Sequence, residues 1–266
     1  MIGANAHRPS VALVAGASSG IGEATALRLA GEGITVALAA RRVAELETLT
    51  ARITDAGGHA LAVDVDLAAD GGPRQAVERT LAAVGNIDLL VCCAAMVNLS
   101  PIHEMTDGSW ERQMRLNLTV PFELARAVLP GMRERRRGWI VNIGSGVAAD
   151  VVPGSGAYGI SKVGLNRLTE LIHQENRDHN VHAYVVCPGW VGTRLAAKPR
   201  KLGVDPAQVL QPEDVADIIG WLVSRPSRVA LGPVLRVEPL ASDADAAAAM
   251  TRYIQAGQAG RTEVPA

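Results

Sequence analysis

The chain has 266 residues, of which 48% are hydrophobic and 20% are charged, and its formal net charge is −1. This length suits one large domain with a substantial core, and the near-zero charge argues against nucleic acid or an anionic membrane surface as the main partner. The chain has no apolar run of about 18 residues, no N-terminal signal-like stretch, and three cysteines that form neither a disulfide framework nor a metal-ligand pattern. We therefore expect a cytoplasmic protein with no membrane span and no metal site.

Apolar runs alternate with amphipathic segments along the chain. The predicted strands are 11–16, 34–40, 60–65, 87–95, 139–144, 182–189 and a last short one within 230–240. The predicted helices are a first one ending near Leu29, and then 43–57, 73–84, 106–135, 155–176 and 212–224. Near-continuous apolar strands that alternate with helices are typical of a parallel sheet covered on both faces. The pattern predicts an α/β fold, a doubly wound parallel β-sheet in a single domain (1–266), with 241–266 as a C-terminal extension.

A glycine-rich turn follows the first predicted strand, with Gly16, Gly20 and Gly22 spaced as G-x-x-x-G-x-G. Glycines at such a turn let the backbone approach a pyrophosphate at the N-terminus of the next helix. A tight strand–helix corner is the alternative, but the position after the first strand favours a dinucleotide-binding turn. The residues expected to contact the dinucleotide here are Gly16, Ser18, Ser19, Gly20, Ile21 and Gly22.

The second predicted strand ends in Ala40 and is followed by Arg41 and Arg42. NAD-preferring sites place Asp or Glu at this point, whereas guanidinium groups match the charge and geometry of a 2′-phosphate. Two ordinary exposed arginines are the alternative, but cations are unfavourable at the N-terminal end of a helix. The pattern therefore favours NADP(H) over NAD(H). Asp64 and Val65, which end the third strand, are predicted contacts for the adenine.

Tyr158 and Lys162 form the most informative pattern, because residues at i and i+4 share one face of a helix. The chain has three Tyr and three Lys, so chance would produce this spacing in roughly 0.03 cases. An ammonium near a phenol favours the phenolate, and we expect it to lower the tyrosine pKa from its usual value of about 10. Ser145, brought in by the fold, would hold a carbonyl oxygen beside that phenol. The trio predicts proton transfer at an oxygen whose carbon gains or loses hydride.

Together these motifs resemble the single-domain short-chain dehydrogenase/reductase family over about residues 8–240. The resemblance implies a Rossmann-type fold and a carbonyl or alcohol substrate. It implies that Ser145 orients the substrate oxygen, that Tyr158 exchanges the proton, and that Lys162 also bonds the nicotinamide ribose. Asn117, in RLNLTVPF, matches the helix asparagine that holds a water of the proton relay. The further cofactor contacts that it implies are Cys93, Pro188, Gly189, Val191 and Thr193.

One segment departs from the family pattern. The usual Asn-Asn-Ala-Gly after the fourth strand is Cys92-Cys93-Ala94-Ala95 here. This change removes two asparagine side chains and adds a Cβ beside the cofactor ribose. We expect cofactor binding to survive, because the family contacts at this point are largely made by the backbone.

Substrate contacts are expected from loops 96–103, 146–156 and 189–211, which follow the carboxyl ends of strands. Candidates for an apolar wall are Met96, Val147, Val151, Val152, Trp190 and Leu195, and packing between loops explains each equally well. The stretch 194–211 contains four basic residues, Arg194, Lys198, Arg200 and Lys201. A solvated, mobile loop is the favoured interpretation of these charges, and attraction of an anionic substrate is the alternative.

The long helices 106–135 and 155–176 are the faces that pair across subunits in the family, so the resemblance implies a homo-oligomer, a dimer or a tetramer. The leading hypothesis is an NADPH-dependent carbonyl reductase or alcohol dehydrogenase. The alternative is a catalytically silent, dinucleotide-binding regulatory or scaffold protein. The altered segment 92–95 favours that alternative, and the four intact catalytic positions argue against it.

Overall fold

The structure is a computed structural model that describes residues 8–196, 207, 209–224 and 233–238. The strands of its main sheet are β1 (Val11–Ala15), β2 (Thr35–Ala40), β3 (Ala60–Asp64), β4 (Leu89–Cys92), β5 (Gly138–Ile143), β6 (Val181–Pro188) and β9 (Val234–Val237). They form one sheet in the order β3-β2-β1-β4-β5-β6-β9. Every neighbouring pair in this sheet is parallel, which confirms the predicted fold class.

Helices lie between the strands in chain order. They are α1 (Gly20–Gly31), α2 (Val43–Asp55), α3 (Gly72–Val84), α4 (Asp107–Met114), α5 (Val120–Glu134), α6 (Gly156–Asn176) and α7 (Pro212–Ser224). A short parallel pair outside the main sheet joins β7 (Trp190–Val191) to β8 (Val209–Leu210). Within the described residues, no helix has both the length and the apolar character needed to cross a membrane.

The two faces of the sheet belong to separate apolar cores, and the alternation along β1 shows why. Val14 packs into one core with Leu29 and Leu38, whereas Leu13 packs into the other with Leu90. Every residue of β1 is buried, so the strand appears in the sequence as a continuous apolar run. Full burial of each large aliphatic side chain stabilises the fold by about 1.5–3 kcal/mol.

The strand order reverses between β1 and β4. The chain runs outward from β1 through β2 to β3, and then returns to place β4 on the opposite side of β1. At such a reversal the loops that leave the two strands diverge and open a crevice at the carboxyl edge of the sheet. The glycine turn after β1 and the segment after β4 border this crevice.

The helix predicted over 106–135 is present as one continuous helical stretch from Asp107 to Glu134, but it is not α-helical throughout. A π-helical turn, Arg115–Thr119, separates α4 from α5, and the N–H of Val120 bonds to the carbonyl of Arg115. A π-helical turn is a rare single-turn bulge defined by its backbone bonding, which the apolar pattern of the sequence does not record. The turn contains Asn117, one of the predicted catalytic residues.

The strand predicted over 87–95 is shorter in the structure. It ends at Cys92 because the N–H groups of Cys93 and Ala94 both donate to the carbonyl of Ala15, at 2.8 and 3.0 Å. Two donors on one acceptor turn the chain away from the regular ladder. The extension 241–266 and the three lysine and arginine positions 198, 200 and 201 lie outside the described residues.

Candidate active site

The glycine turn between β1 and α1 has the geometry of a cradle that side chains would fill. Gly16 has a φ of +87°, and a Cβ there would lie 2.5 Å from the backbone nitrogen of Ala94. A Cβ on Gly22 would lie 2.2 Å from the carbonyl oxygen of Gly16. Both contacts are with backbone that cannot yield, so the close approach of the turn to α1 and to the end of β4 requires glycine.

Arg42 reaches back over this turn from the start of α2. Its Nη2 donates to the hydroxyl oxygens of Ser18 and Ser19, at 2.8 and 2.7 Å, and its Nε donates to Ser18 at 3.1 Å. Its Nη1 bonds to Glu45 at 3.2 Å. A guanidinium beside two hydroxyls offers hydrogen-bond donors to the oxygens of a phosphate group. Arg42 is the best placed of the two predicted arginines.

A cavity of about 970 Å³ extends from the glycine turn along the crevice. The predicted cofactor residues that line it are Gly16, Ser18, Ser19, Gly20, Ile21, Gly22, Arg41, Arg42, Val65, Cys93 and Thr193. A second cavity, of about 450 Å³, adjoins the same turn beside α2. The cradle, the donors and the volume fit a phosphorylated dinucleotide, which Gly16 to Gly22 and Arg42 would hold.

At the end of β3, the predicted cofactor residue Asp64 does not line the cavity. Val65 lines the cavity and Asp66 joins it, whereas the Asp64 carbonyl accepts a bond from Arg79. The predicted adenine contact of Asp64 stays a prediction. Asp66, directly after β3, lines the cavity and was not named by sequence analysis.

The loop after β6 closes over the turn through Thr193. A Cβ on Gly20 would meet Thr193 Cγ2 at 3.0 Å, so the two residues are in close contact. Thr193 lines the cavity together with Arg194 and Leu195. The other predicted residues of this segment, Pro188, Gly189 and Val191, lie on β6, β7 and the bend between them, outside the cavity wall.

Ser145, Tyr158 and Lys162 come together at the carboxyl end of β5. Ser145 follows β5 by two residues, and its hydroxyl bonds to that of Tyr158, in the first turn of α6. The Nζ of Lys162 lies 5.7 Å from the centre of the Tyr158 ring and donates to the carbonyl of Ile143 at 2.7 Å. This bond ties α6 to the end of β5, which is why residues distant in the sequence meet here.

The charges at this site differ from the expectation that Lys162 lowers the Tyr158 pKa. Burial raises the pKa of Tyr158 above its usual value, and the hydrogen bond from Ser145 opposes that rise. Burial also lowers the pKa of Lys162 from 10.5 to about 8. The expected lowering of the tyrosine pKa is wrong for this structure, because both groups are removed from water and burial has the larger effect.

Asn117 holds two segments together beside Tyr158, the predicted proton donor. Its side chain accepts a bond from the Met96 N–H and donates to the Met96 carbonyl, both at 2.9 Å. It also donates to the hydroxyl of Ser161 at 3.1 Å, and Ser161 in turn donates to the Tyr158 carbonyl at 2.7 Å. Ser161 is a supporting residue that sequence analysis missed, although its hydroxyl lies inside YGISK. The relay role of Asn117 stays a prediction.

The thiols of Cys92, the last residue of β4, and Cys93, the next residue, lie on opposite faces of the sheet. Cys92 is buried with the core around Leu90, and Cys93 packs against the other core and lines the cavity. Burial raises the pKa of Cys93 to about 12 and that of Cys92 further still, so both are neutral thiols at physiological pH. On the neighbouring strand, the buried Asn142 Oδ1, level with Cys92, has no hydrogen-bond partner. An asparagine at position 92 would offer that oxygen an N–H donor.

The predicted substrate residues differ widely in their surroundings. Met96 and Leu195 line the large cavity, whereas Val147 follows Ser145 in a short 3-10 turn, with its N–H donating to the Ser145 hydroxyl at 3.4 Å. Val151 is 99% exposed. Val152 and Trp190 are also exposed. Val147, Val151, Val152 and Trp190 do not line the cavity that contains the glycine turn.

Comparison with known proteins identifies the family. The family model described as short chain dehydrogenase matches residues 10–202. The chain is 33% identical over 222 residues to a 3-oxoacyl-[acyl-carrier-protein] reductase of Synechocystis, covering 82% of this chain and 90% of that protein. It is also 33% identical over 236 residues to glycine betaine reductase ATRR of Emericella nidulans, covering 86% of this chain but only 18% of that longer protein.

A solved structure supports the same assignment. A metagenomic short-chain oxidoreductase in complex with NADP superposes with a TM-score of 0.76 at 32% identity, covering 87% of this chain and 97% of that one. The seven-stranded parallel sheet of this chain agrees with these matches. The chain therefore belongs to the short-chain dehydrogenase family of oxidoreductases.

Proposed function

We propose that this protein is an NADP(H)-dependent oxidoreductase that interconverts a carbonyl compound and the corresponding secondary alcohol. The observation that carries the proposal is the meeting of Ser145, Tyr158 and Lys162 at the carboxyl edge of the sheet, next to the crevice that contains the glycine turn. Three free thiols are compatible with a reducing cytoplasm as the place where it works.

The dinucleotide, when bound, supplies or accepts the hydride. Tyr158 gives its phenolic proton to the carbonyl oxygen during reduction, and takes the proton back from the alcohol during oxidation. Ser145 donates a hydrogen bond to the same oxygen and orients it. The raised pKa of Tyr158 keeps the phenol protonated at neutral pH, which is the form that reduction needs.

A panel of ketones and secondary alcohols, assayed in both directions with NADPH, NADP⁺, NADH and NAD⁺, tests the proposal. We expect oxidation of NADPH, measured by its absorbance, with at least one neutral ketone. NADPH fluorescence reports binding separately from turnover. Tight binding of NADPH without reduction of any ketone would instead support the silent dinucleotide-binding protein.

Cofactor preference is predicted to depend on Arg42. Arg42→Ala removes the guanidinium that bonds to Ser18 and Ser19 and would face the 2′-phosphate. A hydrogen bond to a charged group contributes about 1.5–3 kcal/mol, so the ratio of NADPH affinity to NADH affinity should fall about 10- to 100-fold. Fluorescence titration with both cofactors measures that ratio.

Arg52→Ala is the matched control, because Arg52 lines the smaller cavity beside the same turn and pairs with Glu23. It should leave the affinity ratio nearly unchanged. An unchanged ratio in Arg42→Ala would contradict the 2′-phosphate assignment, whatever happens to the individual affinities.

Self-association is predicted through α6. Its outward face presents Ile160, Val163 and Leu171 to solvent. Phe122 is also exposed, on α5, which belongs to the other long helix expected at the subunit interface. Exposed apolar side chains along one helix face are typical of a surface that another protein covers. We propose a homodimer or homotetramer in which this face pairs with its copy.

Val163→Arg tests that surface, since Val163 is 52% exposed and lies in the middle of the face. A buried, unpaired guanidinium at a symmetric interface should shift the protein to a smaller species in light scattering coupled to size exclusion. Val43→Arg, at 44% exposure on α2, is the control and should leave the mass unchanged. An unchanged mass in both variants would contradict the assignment of α6.

A further inference from the structure

The loop that follows β3 has few side chains that could hold it in place. Residues 66–71, which we call the β3 loop, have the sequence Asp-Leu-Ala-Ala-Asp-Gly, and Leu67 is the one buried side chain among them. The Asp66 carboxylate bonds within the loop, to the Ala68 N–H at 2.9 Å. Alanine side chains are too short to reach another element, so the position of the loop depends on bonds to its backbone.

Arg115, which begins the π-helical turn after α4, makes those bonds. Its Nε donates to the Ala68 carbonyl at 3.1 Å, and its Nη2 donates to the Ala69 carbonyl at 3.0 Å. Its Nη1 donates to the Glu123 carboxylate on α5 at 2.8 Å. A guanidinium presents its donors in a planar fork, so one side chain can bond two successive carbonyls while a carboxylate fixes its orientation. We call these three bonds the Arg115 clamp.

The clamp lies in the wall of the large cavity that contains the glycine turn. The wall residues beside the clamp come from the end of β3 and the β3 loop, namely Val65, Asp66, Leu67, Ala68 and Asp70, and from the helical side, namely Glu111, Arg112, Arg115 and Leu116. Val65, a predicted adenine contact, is fixed to β2 by a bond from its N–H to the Ala40 carbonyl at 3.0 Å. Beyond Val65, the clamp sets the distance between the β3 loop and the helical side of the cavity.

Arg112 shows what is particular to Arg115. It lies one turn earlier on α4 and also lines the cavity, so it brings the same charge to the same wall. Its guanidinium extends along Gly108 rather than to the β3 loop, and its Nη1 would lie 3.2 Å from a Cβ on Gly108. Positive charge is common to both arginines, whereas the fork on the loop backbone belongs to Arg115.

We infer that Arg115 is a positioning residue for the dinucleotide, which acts by fixing the β3 loop at the adenine end of the site. This inference rests on the proposed NADP(H) binding and adds a residue that prepares the site for it. Because the clamp orders the loop before the cofactor arrives, less ordering of the chain has to accompany binding. The adenine is common to both cofactors, so Arg115 affects NADPH and NADH alike, whereas Arg42 affects their ratio.

Arg115→Met removes the clamp and tests the inference by cofactor affinity. We expect the dissociation constants of NADPH and NADH, measured by fluorescence titration, to rise by about 5- to 20-fold each, with their ratio unchanged. The affinity for 2′,5′-ADP, measured by calorimetry, should fall by a similar factor, because this fragment contains the adenine without the nicotinamide.

Hydrogen exchange tests the loop itself. In the protein without cofactor, the amides of 66–71 should exchange faster in Arg115→Met than in the wild type, and saturating NADPH should restore slow exchange. Unchanged exchange of these amides would mean that the loop does not depend on the clamp, and it would overturn the inference.

Two further variants separate position from charge. Arg112→Met removes the same charge from the same wall and should change the affinities by less than about twofold. An equal loss in Arg112→Met and Arg115→Met would show that Arg115 contributes charge alone. Arg115→Lys keeps the charge but cannot form the fork, so it should recover only part of the lost affinity, and full recovery would overturn the inference. Arg115→Lys also supplies the comparison with the wild type if Arg115→Met does not fold.

The outcomes also distinguish this inference from the proposed function. If the wild type binds NADPH and reduces a ketone, but Arg115→Met binds both cofactors as tightly as the wild type, the inference fails and the proposed function stands. If the wild type binds neither NADPH nor NADH, the proposed function fails and this inference fails with it.

Discussion

Replacement of Tyr158 by Phe is expected to lower kcat by about 10²- to 10⁴-fold while NADPH affinity stays nearly unchanged. The phenylalanine keeps the ring in the first turn of α6 and removes only the hydroxyl that bonds to Ser145. No other described phenol lies at this edge of the sheet, so the proton of the reduction loses its donor. Ser145 remains, and it supplies the residual orientation of the substrate oxygen.

Tyr184→Phe provides the matched control for that experiment. Tyr184 is a buried tyrosine of β6 that packs with His173, away from Ser145 and Lys162. It undergoes the same loss of a hydroxyl, so its kcat should stay close to that of the wild type. A Tyr158→Phe enzyme with near-normal turnover would contradict the catalytic assignment, and NADPH fluorescence shows whether the variant is still folded and able to bind the cofactor.

Sequence analysis predicted the parts of the site that depend on local chemistry. The spacing of the glycines predicted a turn in which the backbone makes close contacts. Helix periodicity predicted that Tyr158 and Lys162 share one face of a helix. Both patterns are encoded within a few consecutive residues. The alternation of apolar runs was sufficient for the parallel sheet, because its strands are buried on both faces and contain almost no polar interruptions.

Features set by distant contacts were not predictable in the same way. Asn117, inside the π-helical turn, bonds to Met96 and Ser161, which belong to other segments of the fold. The pKa of Tyr158 was expected to fall because the charge of Lys162 is visible in the sequence. Burial is not visible there, and in the structure its effect on the tyrosine is the larger one.

Asp64 illustrates a further limit on prediction from sequence. A strand end can be located from sequence only to within about two residues, and the cavity wall beside β3 includes Val65 and Asp66 but not Asp64. The substrate candidates illustrate another limit. Apolar residues in loops carry no periodicity, so the sequence alone does not show which of them line a site and which pack between loops.

Lys162→Met is expected to abolish most of the activity and yet to stabilise the fold at neutral pH. Lys162 is 2% exposed, and its Nζ bonds to the Ile143 carbonyl. Burial lowers its pKa from 10.5 to about 8, so the folded protein holds an ammonium that is poorly solvated. Such a shift corresponds to about 3 kcal/mol, and loss of the bond to Ile143 offsets about 1 kcal/mol of it. We expect a net gain of about 1–2 kcal/mol in the free energy of unfolding.

The dependence on pH follows from the direction of the shift. The folded pKa of Lys162 lies below the unfolded one, so between pH about 8 and 10.5 the unfolded chain binds more protons, and wild-type stability rises with pH. The advantage of Lys162→Met is therefore complete below pH 8 and disappears as the pH approaches 10.5. Urea unfolding at about pH 7 and about pH 9.5 measures both ends of this window.

Arg74→Met separates burial from charge, because Arg74 lies on α3, away from the proposed subunit interface, with its side chain 77% exposed. Removing that surface charge should change stability by less than about 0.5 kcal/mol at either pH. A Lys162→Met protein that is less stable than the wild type at both pH values would show that packing and the bond to Ile143 outweigh the buried charge. The expected opposite result, a more stable and inactive enzyme, would mean that the fold keeps Lys162 for its chemistry at the expense of stability, as catalytic residues in other enzymes are kept.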